Sequence, residues 1–173
     1  ISIKNVDVYV NNYHSTNTAA LGPFVARYPG NLGNSLKIEV LANTTSSLYD
    51  AWAWKGYFDA APGTSAYVAA RVGANANDEF HIVVIDEDGL FSGVKNSVLE
   101  TFPFVSKALD ARDDTGTSIY YRDVILNKSK YIFATDHVDL PTTAATWGKP
   151  TSQVGSYANP VSYTHLRAHE TLR

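Results

Sequence analysis

The chain has 173 residues, 45% of them apolar and 18% charged, a composition that builds a core and excludes intrinsic disorder; the length holds one domain, or one domain and a piece of another. Fourteen basic against seventeen acidic residues give a net charge of −3, which leaves no electrostatic footprint for nucleic acid or an anionic membrane. Without cysteine, disulfide frameworks, zinc ribbons and thiol catalysis are excluded, and no apolar run approaches the roughly 18 residues that span a bilayer.

Ile1, Ile3, Val6, Val8 and Val10 nearly alternate, which predicts a half-buried strand over residues 1–10. The chain holds no methionine and opens inside this pattern, as expected of a fragment. A polar loop follows at 11–18, then breaks at Pro29-Gly30 and Gly33-Asn34, then a second strand through Leu36, Ile38 and Val40. The aromatic-rich stretch from Thr44 to Pro62 has neither period and reads as irregular. Thr64 or Ser65 caps a predicted helix over 64–72, ended by Gly73. Glu79 to Asp86 is a continuous apolar run stopped by the turn-forming pair Asp88-Gly89 and reads as a central strand. Val98 to Val105 predicts another strand, which Pro103 assigns to an edge or a bulge because proline cannot donate to a ladder. After a solvated loop at 110–116, Ser118 caps a predicted helix bearing Tyr120, Tyr121, Val124 and Ile125, and residues 130–134 form a further strand. Strands mixed with two short helices indicate an α/β or α+β layer fold, with α/β and a mixed sheet flanked by short helices as the expectation. Residues 141–160 read as a linker or the start of a truncated element. The closing residues 161–173 resemble adapter-derived read-through and are expected to add nothing to the fold.

The sharpest catalytic candidate is Gly63-Thr64-Ser65-Ala66, similar to the nucleophile run of subtilase serine proteases, with Val84-Ile85-Asp86 as the aspartate motif and His81 or His137 as the base. Subtilases run Asp, His, Ser, whereas Ser65 here precedes Asp86, so capping by Thr64 or Ser65 and a strand end at Asp86 are the expected roles. Asp86, Glu87 and Asp88 with Asp78 and Glu79 offer oxygen ligands for calcium or magnesium at a spacing that fits no known loop. His165 and His169 stand at helical i, i+4 spacing, but Leu166 occupies the place where a zinc-protease signature needs glutamate. Asn43-Thr44-Thr45 and Asn127-Lys128-Ser129 match the glycosylation sequon, and Gly30 to Gly33 lacks the ending of a phosphate loop. Trp52, Trp54, Tyr57 and Phe58 offer a platform for a sugar or a base, or a cluster buried against the sheet.

Five collinear runs resemble the tail sheath protein of contractile-tailed, T4-like bacteriophages over residues 23–136. They are Ala26-Arg27-Tyr28-Pro29-Gly30 with Leu32-Gly33-Asn34-Ser35-Leu36; Trp54-Lys55 to Phe58-Asp59-Ala60-Ala61-Pro62-Gly63-Thr64-Ser65; Asn77 to Gly89; Leu99-Glu100 through Val105-Ser106-Lys107-Ala108; and Tyr120-Tyr121 with Ser129-Lys130-Tyr131. The resemblance implies a truncated piece of a subtilisin-like domain without protease activity: residues 1–22 ending a preceding outer domain, 23–140 the partial core, 141–160 the way into missing core, and 161–173 a non-native tail. It implies a virion structural protein, assembled in the host cytoplasm, whose copies stack as hexameric rings around the tail tube and contract to drive the tube through the host envelope for genome ejection. Its partners would be further copies of itself, the tail tube, the baseplate and the tail terminator, with no direct contact to nucleic acid or membrane. It implies no catalytic residue, cofactor or metal. A carbohydrate-binding tail surface module and a serine hydrolase are the alternatives.

Overall fold

The computed structural model describes residues 3–15, 22–42, 46–71, 73–136 and the backbone of 154–158. Helices α1 (Val6–Asn12), α2 (Gly30–Asn34), α3 (Ser46–Ala51), α4 (Ala66–Ala69) and α5 (Tyr121–Lys128) alternate irregularly with strands β1 (Phe24–Ala26), β2 (Leu36–Ala42), β3 (Glu79–Asp86), β4 (Ser97–Ser106), β5 (Ile132–Ala134) and β6 (Val154–Ala158). The strands form a four-stranded sheet ordered β4-β3-β2-β6 and a two-stranded sheet of β1 and β5. The protein mixes α and β as expected, but the sheet expected to be mixed is not: every ladder is antiparallel, and among the described residues parallel pairing is confined to one isolated bridge between Ser106 and Tyr120.

The apolar run of β3 arises because both of its faces are covered. Phe80, Ile82 and Val84 on one face meet Leu36, Ile38 and Val40 of β2 beneath β1, β5 and the apolar side of α5. Val83 and Ile85 on the other face join Leu41, Trp52 and Phe58. Burying each such side chain contributes about 1.5–3 kcal/mol. Strand β4 lies at the sheet edge, and its pairing with β3 slips between Phe80 and Ile82, so the residues around Pro103 form a bulge where the sequence placed an edge or a bulge.

The strand expected over residues 1–10 is instead the helix α1 in its described part. Asn5 Oδ1 accepts the Val8 N–H at 2.9 Å as an N-cap and Asp7 sits in the first turn. Alternation of Val6, Val8 and Val10 does not mark a buried face, since Val6 and Val10 are 44% and 43% exposed. Tyr9 anchors the helix: its hydroxyl donates to Ala134 O at 2.6 Å and its ring stacks on Phe133 at 4.4 Å. Arg122, buried under the same helix, donates from Nη1 to His14 O at 2.9 Å. His14 Nε2 lies 3.0 Å from Asp123 Oδ1, an ion-pair distance with too poor an angle for a hydrogen bond. The described part of 141–160 is the strand β6, added antiparallel to β2. Ser118 does not cap α5 directly; its hydroxyl donates to Asp123 Oδ2 at 2.7 Å and the cap position is Tyr120.

Candidate functional site

The corner where α4, β3 and β4 meet is organised by the carboxylate of Asp78, which is fully buried. Ser65, at the N-cap of α4, accepts the Val68 N–H at 3.3 Å, donates its hydroxyl to Asp78 Oδ2 at 2.8 Å and its backbone N–H to Asp78 Oδ1 at 2.9 Å. The Ser106 hydroxyl donates to the same Oδ2. Thr64 closes the corner by donating to Ala74 O at 2.8 Å and accepting the Asn77 N–H at 2.7 Å. Lys107 enters the corner from β4: its backbone N–H donates to Asp78 O at 2.9 Å, and its side chain is fully buried with no hydrogen-bond partner at Nζ. Burial outweighs the attraction of Asp78 and pulls the amine from 10.5 down to about 8.

The subtilase-like residues do not converge. Ser65 is buried as a cap whose hydroxyl meets a carboxylate and not an imidazole. Both ring nitrogens of His81 are engaged elsewhere, with Ala60 O at 2.8 Å and Phe104 N at 3.0 Å. Asp86 stands five positions along β3 from His81, roughly 16 Å away and on the opposite face. His137, His165 and His169 lie outside the described residues, as does the sequon at Asn43. In the second sequon, Asn127 is exposed on α5, while the Ser129 hydroxyl is buried and donates to Glu100 Oε2 at 2.7 Å.

The acidic residues proposed as metal ligands are dispersed by other work. Asp86 accepts the Ser35 hydroxyl at 2.5 Å on one oxygen, and the Phe91 N–H, Ser92 N–H and Ser92 hydroxyl at 2.7–2.9 Å on the other. Burial pushes this carboxyl up, but the Ser35 and Ser92 bonds and the Phe91 amide outweigh it and hold it below its ordinary value. Asp86 therefore builds the connection over residues 87–96, where Gly89 has φ +78° and an added Cβ would lie 2.9 Å from Lys95 N. Glu79 Oε2 accepts the Gly63 N–H at 3.1 Å, and burial raises its carboxyl above the usual range. Among the described residues no group of three potential ligands could hold a metal ion.

The aromatic stretch divides. Trp52 and Phe58 stack on one another at 5.2 Å and are buried against β2 and β3, with Trp52 Nε1 donating to Glu39 Oε2 at 3.2 Å. Trp54 is partly buried against the same cluster and Tyr57 is 56% exposed, so the four rings share no single open face. Segment 30–34, rejected as a phosphate loop, is the short helix α2; Gly33 is required there because a Cβ would meet Tyr28 O at 2.1 Å. A groove of about 140 Å³ is lined by Thr101–Val105 of β4, residues 117–119, and Val124 and Lys128 of α5. Lys107 is the residue that sequence reading missed, since nothing local separates it from a solvated strand-end lysine.

No family model matches the chain, and no curated protein matches it. No helix among the described residues is long and apolar enough to cross a membrane.

Proposed function

We propose that the chain is part of a structural subunit of a contractile bacteriophage tail sheath, from its subtilisin-like domain, that polymerises around the tail tube in the virion and acts by changing packing, not by catalysis. One observation carries the reading beyond the resemblance itself: the five runs interlock through their polar groups. Ser35 of the first bonds Asp86 of the third, Ser65 of the second bonds Asp78 of the third, and Ser106 of the fourth bonds the same Asp78. Glu100 of the fourth accepts Ser129 Oγ at 2.7 Å and Lys130 N at 2.7 Å of the fifth, and Arg27 N of the first donates to Tyr131 O of the fifth at 2.7 Å. Arg27 also donates from Nη2 to Leu126 O at 3.0 Å, satisfying an end carbonyl of α5.

Runs that bond one another throughout specify a rigid frame, and satisfied buried networks of this kind serve shape more readily than turnover. The hydrolase alternative is disfavoured by Ser65 lacking a base, and the carbohydrate-binding alternative by the burial of Trp52 and Phe58. Further copies of the same subunit, the tail tube, the baseplate and the tail terminator are the partners of this reading. An assembly of this type presents different patches to its neighbours on either side, so it grows open-ended. Electron microscopy of a longer chain carrying these residues tests the proposal by the appearance of rings or tubes.

A further inference from the structure

His81 sits on the buried face of β3 at the point where pairing with β4 slips. Its ring is enclosed by Phe58 at 4.3 Å, Phe104 at 4.7 Å and Trp52 at 6.5 Å. The two hydrogen bonds fix one neutral tautomer. A carbonyl only accepts, so Nε2 carries the proton that goes to Ala60 O at 2.8 Å; an amide only donates, so Nδ1 is the bare acceptor of Phe104 N–H at 3.0 Å. Phe104 has φ +50°, a conformation a bulky residue adopts only when its surroundings impose it, and the imidazole lone pair is what its amide meets there. Pro103 and Phe104 in turn form a wall of the groove lined by β4 and α5.

We propose that His81 is a proton-controlled latch on the β4 bulge: a proton taken up at Nδ1 turns the acceptor into a donor, releases the Phe104 amide and lets the groove wall at Pro103 and Phe104 move. The groups around the ring leave it without a counter-charge. Tyr49 of the α3 segment, centroid 6.4 Å away, spends its hydroxyl on Phe58 O. On β2, Glu39 is held by Trp52 Nε1 and Lys37; on β3, Glu79 is held by the Gly63 amide. Asp50 pairs with Lys55 and Asp59 is exposed in the aromatic segment, while the β4 residues touching the ring carry no charge. Among the described residues no carboxylate lies within ion-pair distance of the His81 ring. Burial accordingly holds the imidazole below its ordinary value, against smaller upward contributions from the Ala60 and Phe80 backbone, so the latch is closed at neutral pH and opens in acid. This inference does not depend on the tail sheath reading.

The test is a nitrogen-15 NMR titration of the intact chain with hydrogen exchange at the Phe104 amide. At about pH 7.5 the His81 ring should show a protonated Nε2 and an unprotonated Nδ1. As His81 titrates in acid, protection of the Phe104 amide should fall about tenfold, the change that accompanies loss of one buried hydrogen bond. The amides of Ile38, Val40 and Val84 in the central ladder should keep their protection. In the His81→Asn variant, whose carbonyl accepts the same amide without titrating, the pH dependence at Phe104 should vanish. The opposite tautomer at neutral pH, protection at Phe104 that ignores the titration, or a loss of protection shared by the whole sheet would each overturn the latch. Because the first two readouts use the unsubstituted chain, a variant that failed to fold would leave the proposal open to refutation.

Discussion

Replacing Lys107 with methionine keeps an unbranched apolar stem in the corner beside Asp78 and removes a buried amine that has no hydrogen-bond partner. The fall of the amine from 10.5 to about 8 on folding means that the native corner disfavours the ammonium. That distance is worth about 3 kcal/mol of lost stability wherever both states are protonated, and neither a hydrogen bond nor an ion pair at Nζ is given up by the substitution. Lys107→Met should therefore stabilise the chain by up to about 3 kcal/mol at neutral pH, or about 6–12 °C in midpoint for a domain of this size. The sign with pH is fixed: between about 8 and 10.5 the unfolded chain binds the extra proton, so the stability of the unsubstituted chain rises with pH across that window and the advantage of the variant shrinks. Tyr9, raised by burial to about 12, and Tyr121, raised further, act oppositely above pH 10 but do so in both proteins and cancel in the difference. Guanidinium unfolding of both proteins at about pH 7 and at about pH 9.5 measures this. A variant less stable than its parent, or a difference that does not change with pH, would refute the reasoning.

Ser65→Ala should cost about 1–2 kcal/mol in chemical denaturation, since it removes a helix cap and one donor to the Asp78 carboxylate, and a serine-directed fluorophosphonate should leave Ser65 unlabelled. Gly33→Ala should destabilise by about 3 kcal/mol or prevent folding, because the new Cβ would stand 2.1 Å from a backbone oxygen that has no free side chain to yield; thermal unfolding reads it. Asp86→Asn should loosen residues 87–96 while sparing β2 and β3, seen as faster exchange at the Phe91 and Ser92 amides; the stability Asp86 contributes should likewise be lost as pH falls through its lowered native value. Deleting residues 161–173 should leave the midpoint unchanged, and a drop of several degrees, equivalent to about 1 kcal/mol, would show that they pack.

What the sequence disclosed was whatever local chemistry decides. The span of β3 was legible because its apolar run is bounded by a turn, and α4 because a serine precedes its first turn. The period-2 valines near the start misled, since a single buried Tyr9 and the Asn5 cap outweigh their alternation. The expected mixed sheet is antiparallel in every ladder, because an apolar run or an alternation marks which faces are buried and carries no information on strand direction. The residues that build the site depend on distant partners. Asp86 resembles a catalytic or metal-binding acid until Ser35, 51 positions away, is found on it. Lys107 is buried by the corner that Asp78 assembles, and the neutral tautomer of His81 is set by two backbone groups, at Ala60 and Phe104, neither of which a side-chain motif reveals.

The central claim is that this frame belongs to a subunit that polymerises. Its most direct test is negative-stain microscopy of a longer chain that carries these residues, alone and with tail tubes as template. The account predicts rings or helical sheaths from the longer chain. A longer chain that stays monomeric at high concentration, with and without tubes, would contradict it.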